Sequence, residues 1–282
     1  MRCCRFRLTP DQPWQSGVVE DDRVVPLADR TAAPLPESSY ALSDVTLGPP
    51  VETIGSFRDF YAFERHVMDA RKRRGLDMVP EWYEAPVFYF SNPSTIVGNG
   101  APIVAPPYGQ WLDFELEVAC VIGEGGRDIE PDAADRHIAG YAVLNDWSLR
   151  DVQRQEMKVG LGPAKGKDFA TSLGPTLVTP DELEDRRTDK GYDLAMVARV
   201  NGRELSRGNW RDLHFSFGEM IARASQGVPL QPGDLIGSGT VGTGCILELG
   251  PETTGGWLKA GDVVQLEIER LGVLENPIVH SP

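Results

Sequence analysis

The chain alternates apolar and polar side chains with a two-residue period over many short stretches, and the alternation is sharpest at Trp111-Leu112-Asp113-Phe114-Glu115-Leu116-Glu117, which runs directly into the apolar residues 118–122. On a strand, side chains repeat every second residue at about 3.3 Å rise per residue. The pattern therefore places Asp113, Glu115 and Glu117 on one face, with the two glutamates about 6–7 Å apart. Two readings follow: a solvated outer face of an edge strand, or carboxylates carried inward, where a cation or a matching base must offset their desolvation.

Before this stretch, residues 5–27 alternate short strand-like runs with turns, and the Pro- and Ser-rich segments 33–38 and 48–50 carry no periodicity. Residues 1–50 read as a small β-rich N-terminal domain with a linker, and residues 51–282 as the main domain. A helix is predicted from Ser56, a good N-cap with Asp59 at the third helical position, to about residue 74. Phe60, Phe63, Val67 and Ala70 supply its three- and four-residue steps. Asp59 and His66 would then share one helical face, about 10 Å apart along the axis. The basic turn Arg71-Lys72-Arg73-Arg74 and Gly75 suit the end of that helix.

Residues 82–90 are dense in aromatics and read as core or pocket lining. Residues 138–144 form a buried strand by composition, ending in Asn145-Asp146-Trp147-Ser148, where a strand fixes an acidic residue and a loop exposes it. Helical spacing over 150–157 precedes the glycine-rich loop 160–167, which lacks GxxxxGK[ST] and so carries no phosphate-loop signal. Asn201-Gly202 predicts a hairpin. Residues 215–224 form an amphipathic helix, the glycine-dense stretch 231–245 lets backbone amides approach a ligand, and residues 261–269 close the chain as an alternating strand.

Composition narrows the partners. The chain has 282 residues, 41% hydrophobic and 25% charged, enough for a substantial core. A net charge of −14 disfavours nucleic acid and anionic membrane. The N-terminus lacks the apolar region of a secretory signal and no window reaches the length of a membrane span, so a cytoplasmic location is expected. The four cysteines show no CxxC spacing, and reduced thiols are expected rather than a zinc site or disulfides.

Taken in order, several motifs together resemble the fumarylacetoacetate hydrolase family, bacterial type. They are Asp59-Phe60-Tyr61 with His66, Leu112-Asp113-Phe114-Glu115-Leu116-Glu117, Asn145-Asp146-Trp147-Ser148-x-Arg150-Asp151-Val152-Gln153, Gly166-Lys167 with Thr171, and Gly239-Thr240. The match spans residues 51 to 282. The resemblance implies an α+β, mainly β fold, a mixed β-sandwich or β-roll of the fumarylacetoacetase C-terminal type. It implies a divalent cation on Asp59, Glu115, Glu117 and Asp146, and an all-oxygen ligand set suits Mg²⁺ first, with Ca²⁺ or Mn²⁺ as alternatives. It assigns catalysis to His66, Glu248 and Lys167, and substrate contact to Tyr61, Tyr89, Gln153 and Thr240.

The implied substrate is a β-diketo acid such as an acylpyruvate, cleaved at a carbon–carbon bond by water. A decarboxylase or keto–enol isomerase using the same metal site is the alternative, and a silent metal- or metabolite-binding protein is a third reading. Family analogy implies a homodimer. Eukaryotic members carry a Tyr near the place where Met157 stands, and an Arg that here falls at Gly75, with Arg71, Arg73 and Arg74 nearby. These departures argue against fumarylacetoacetate itself as substrate.

Overall fold

The protein is described from a computed structural model covering residues 1–27 and 39–281; the Pro- and Ser-rich segment 33–38 lies outside the described residues. The alternating stretch leads into a central strand, not an edge. Leu116–Ile122 is buried at every position and runs antiparallel to both Ile138–Asp146 and Leu235–Gly237. Its two faces enter different cores. Leu116, Val118, Cys120 and Ile122 pack with Trp147, Trp210 and Leu266, whereas Ala119 and Val121 pack with Phe57, Leu144 and Leu173. With apolar cores packed on both faces and strands paired on both edges, this is not a solvated outer edge, and that reading is excluded.

Outward from this centre the large sheet continues through Phe57–Phe60 to Phe88–Ser91 on one side. On the other, Ile138–Asp146 pairs Thr176–Val178, which pairs Arg2–Arg7 and hence Gln15–Glu20 and Arg23–Pro26. The N-terminal strands are therefore hydrogen-bonded into the same sheet as the main domain. A second sheet is built from Arg203–Asn209, Ala195–Val200, Val263–Ile268, Gly272–Val279 and Ile103–Val104. The architecture is mainly β with few helices. Among the described residues, no helix is long and apolar enough to cross a membrane, and Cys4, Cys120 and Cys245 are buried free thiols.

Local sequence explains several elements. Asn201 and Gly202 both adopt positive φ, 52° and 78°, and turn the hairpin between Ala195–Val200 and Arg203–Asn209. Phe217–Ser225 starts at a reciprocal capping box of Ser216 and Glu219. Two expectations are corrected. The helix predicted from Ser56 begins only at Glu64 and runs Glu64–Arg73. Phe57–Phe60 is instead a strand, parallel to Leu235–Gly237 and antiparallel to Phe88–Ser91. All four of its residues are buried and both its edges are hydrogen-bonded, which outweighs the helical spacing that Phe60 shares with Phe63, Val67 and Ala70. The Ser56 hydroxyl accepts from Arg58 Nη1 at 2.6 Å rather than capping a helix. Residues 261–269 do not close the chain either. Val263–Ile268 hairpins with a further strand, Gly272–Val279, whose Pro277 hid the alternation.

Candidate active site

The large sheet carries its acidic residues to one place. Asp59 stands on Phe57–Phe60, Glu117 on Leu116–Ile122 and Asp146 at the end of Ile138–Asp146. Glu115 sits in the break between Leu112–Asp113 and Leu116–Ile122, where its N–H donates to Asn145 Oδ1 at 2.9 Å. That break corrects the single-face expectation: Asp113 turns away, while Glu115 and Glu117 converge. One carboxylate oxygen from each of Asp59, Glu115, Glu117 and Asp146 lies within 4.8 Å of the others, and all four residues are buried. Gly237 makes the approach possible, since a Cβ there would stand 2.2 Å from Asp59 Oδ1.

Burial and mutual repulsion dominate the electrostatics. Burial, then the Asp146 charge, pushes the Asp59 carboxyl well above the usual range; burial, then Asp59, does the same to Glu117. Burial also raises Asp146, against the pull of Lys167. Glu115 goes the other way: burial opposes its ionisation, but Arg150 and Lys167 override it and hold the carboxyl low. The Lys167 ammonium bridges Glu115 Oε2 and Asp146 Oδ2. The Tyr89 hydroxyl donates to Asp59 Oδ2 at 3.2 Å and to Asp146 Oδ2. Glu117 accepts from the N–H of Gly239 at 3.1 Å and from Thr240 Oγ1 at 3.3 Å. Asp59 Oδ1 and Asp146 Oδ1 remain buried without any hydrogen-bond partner. Two orphaned carboxylate oxygens in a converging all-oxygen set fit a hard divalent cation.

Beside this cluster, His66 Nδ1 lies 2.7 Å from Glu248 Oε2, and His66 Nε2 faces Glu115 Oε1 at 4.0 Å. The Tyr61 ring meets the imidazole edge-on, with centroids 5.2 Å apart. Glu248 is held from three further directions: its helix Ile246–Leu249, the N–H of Thr243 at 3.0 Å, and the Cys245 thiol at 3.3 Å. Burial, then the Glu248 charge, keeps that thiol protonated and so a donor.

Sequence reasoning missed what ties the two halves together. Asp113 accepts from Arg150 Nε at 2.8 Å and from the N–H groups of Ile246 and Leu247 at 2.7 and 3.0 Å. Arg150 in turn donates to Glu115 Oε1 at 2.7 Å and to Gln153 Oε1 at 3.1 Å. One buried aspartate thus anchors both the helix that carries Glu248 and the guanidinium that grips Glu115. The sequence signal was present, an acidic residue two positions before Glu115 and an arginine in the Asn145–Gln153 motif, but their contact spans 37 residues.

A cleft of about 270 Å³ opens onto these groups. Asp59, Tyr61, His66, Tyr89, Glu115, Glu117, Gln153, Lys167 and Thr240 all line it. Asp146 and Glu248 stand behind the wall, through Lys167 and His66. Arg71, Arg74 and Met157 reach the outer part of the cleft, whereas Gly75 does not.

The comparisons agree with this arrangement. The model of the fumarylacetoacetate hydrolase C-terminal family matches residues 56–279. Fumarylacetoacetase of Arabidopsis thaliana is 32% identical over 263 residues, 76% of this chain and 62% of that protein. Human mitochondrial oxaloacetate tautomerase is 38% identical over 196 residues, 69% of this chain and 59% of that protein. The chain thus spans about three fifths of the length of these relatives. The solved 5-carboxymethyl-2-hydroxymuconate delta-isomerase of Mycobacterium smegmatis superposes with a TM-score of 0.77 at 26% identity, covering 100% of both chains. The fumarylacetoacetate hydrolase of Exiguobacterium antarcticum does so with the same score, identity and coverage. With the family model spanning the strands that bring the four carboxylates together and the helix that carries His66, the chain belongs to the fumarylacetoacetate hydrolase family.

Proposed function

We propose that this enzyme is a divalent-cation-dependent hydrolase that cleaves a carbon–carbon bond in a β-diketo acid of the acylpyruvate class, with Mg²⁺ as the expected ion. The observation that carries this reading is the His66–Glu248 pair. With Glu248 accepting the Nδ1 proton at 2.7 Å, the imidazole keeps its lone pair on Nε2, the nitrogen that faces the carboxylate cluster. That is the atom placed to take a proton from water as the water attacks a carbonyl. Asp59, Glu115, Glu117 and Asp146 would hold the cation, which supplies chelation of the keto acid oxygens and stabilises the negative charge of the departing enolate. The Lys167 ammonium offsets part of the charge of the ligand set and meets the substrate carboxylate. Tyr89, Gln153 and Thr240 orient the chain of the substrate, and Tyr61 packs against the base.

A second reading shares the same base. A proton taken from carbon rather than from water gives keto–enol isomerisation, and the tautomerase and isomerase among the similar proteins favour it. Product analysis separates the two. The Mg²⁺-loaded protein is incubated with a panel of acylpyruvates in ¹⁸O-water, and the products are identified by mass spectrometry. A labelled carboxylic acid together with pyruvate is expected. Release of carbon dioxide, or an isomer of unchanged mass, would replace the hydrolase reading.

A further inference from the structure

We propose that His66, Cys245 and Glu248 form a second metal site, selective for a borderline-soft ion such as Zn²⁺, and that its occupation switches off the base. The metal site stands on geometry alone; the switching rests on the reading of His66 as the base.

One donor atom from each of the three residues lies within 4.8 Å of the others, and all three residues are buried. No cysteine spacing announces such a site, because the histidine lies 182 residues from the glutamate. Cys245 and Glu248 stand three residues apart across the start of Ile246–Leu249, one turn, and so on one side. His66 Nδ1 is 2.7 Å and Cys245 Sγ 3.3 Å from the same oxygen, Glu248 Oε2. A tetrahedral zinc ion holds nitrogen, sulfur and oxygen donors about 3.3–3.6 Å apart. The sulfur edge is already close to that length, and the His66 edge reaches it by opening about 0.6 Å.

Ligand chemistry separates this site from its neighbour. Asp59, Glu115, Glu117 and Asp146 offer only oxygen, which suits a hard ion, whereas imidazole, thiol and carboxylate together suit zinc. Charge balances as well. A thiolate and the Glu248 carboxylate neutralise one dication, so a buried ion here leaves no uncompensated charge. Holding Glu248 does not by itself call for sulfur: its Oε1 accepts from the N–H of Thr243, its Oε2 from His66, and a thiol is a weak donor.

On binding, the Cys245 thiol loses its proton to solvent and the Nδ1 proton passes through solvent to Nε2; nothing is oxidised or reduced. Zinc then occupies the Nδ1 lone pair. Nε2, the nitrogen that faces Glu115 of the carboxylate cluster, carries a hydrogen in place of its lone pair. An imidazole in that state cannot take a proton from water. His66 lines the cleft, so an ion arriving there meets the imidazole first.

The full chain is saturated with Mg²⁺, which fills the oxygen set, and titrated with Co²⁺ as a spectroscopic substitute for zinc. A near-ultraviolet thiolate-to-cobalt charge-transfer band is expected, bleached by Zn²⁺ and absent in Cys245→Ser. Competition with a chromogenic chelator should show Zn²⁺ bound at least about tenfold more weakly by Cys245→Ser than by wild type. X-ray absorption on the Zn²⁺-loaded wild type reads the same shell without a substitution: one sulfur at about 2.3 Å beside nitrogen and oxygen at about 2.0–2.2 Å is expected. Absence of the band, a band that survives in Cys245→Ser, or a zinc shell of nitrogen and oxygen alone would overturn the site. Turnover by wild type should fall with Zn²⁺ and stay low as Mg²⁺ is raised; recovery would place the zinc in the carboxylate set and overturn the proposal. A sulfur-ligated zinc that leaves turnover unimpaired would overturn the reading of His66 as the base, and with it the switch, and leave the metal site standing.

Discussion

Asp113→Asn isolates the link between the two halves of the site. The side chain keeps its size and one oxygen acceptor, so backbone distortion is small, but the negative charge between Arg150 and the start of Ile246–Leu249 disappears. Removing one partner of a buried ion pair costs about 3–5 kcal/mol, because the other charge stays buried. Arg150 retains Glu115 at 2.7 Å, so the lower end applies, about 3 kcal/mol. At roughly 2–4 °C per kcal/mol for a chain of this size, the melting temperature should fall by about 6–12 °C. The amide NH₂ also faces at least one N–H of Ile246 or Leu247, which repels it and shifts the helix carrying Glu248. A displacement of this kind at a catalytic pair costs up to about 10²-fold in rate, and kcat/KM should fall by about 10–100-fold. Thermal melts by circular dichroism and steady-state kinetics on the best acylpyruvate measure the two effects. A variant that melts within about 1 °C of wild type and turns over normally would show that Asp113 anchors neither Arg150 nor Glu248.

Further outcomes concern the base and the cation. His66→Ala removes the base and should lower hydrolysis by about 10²–10⁴-fold with Mg²⁺ affinity nearly unchanged, and Glu248→Gln should follow it in direction; near-normal hydrolysis in the His66 variant would leave the imidazole an ordinary helical histidine. For the cation, Asp59, Glu117 and Asp146 have carboxyls raised by burial, so between the ordinary carboxylate range and their raised values the folded chain binds more protons than the unfolded one, and stability without metal falls as pH rises through that window. Mg²⁺ takes the place of those protons, so exhaustive chelation should abolish activity, and the Mg²⁺-induced rise in melting temperature should be larger near about pH 8 than near about pH 5.5. A rise equal at both, or full activity after chelation, would contradict the proposed metal site.

Much of the candidate site was legible in the sequence through the motifs it shares with the family, short runs whose residues are recognisable without the fold. Glu115 and Glu117 flank the start of a strand, Asp146 ends one, and Asn201-Gly202 turns a hairpin through backbone conformations that those two residue types favour. The acidic composition also disfavours nucleic acid as a partner, independently of the fold. What the sequence misjudged depended on partners distant along the chain. Phe57–Phe60 carries helical spacing, yet Leu235–Gly237 and Phe88–Ser91 bond both its edges, and a strand paired on two sides overrides local preference. That pairing moves Asp59 off the helix of His66 and into the carboxylate cluster. Periodicity placed Asp113 with Glu115 and Glu117, but the break held by Asn145 sends it to Arg150 and Ile246 instead. Strand pairing and charge pairing are contacts between residues far apart in the chain, and the tertiary structure alone decides them.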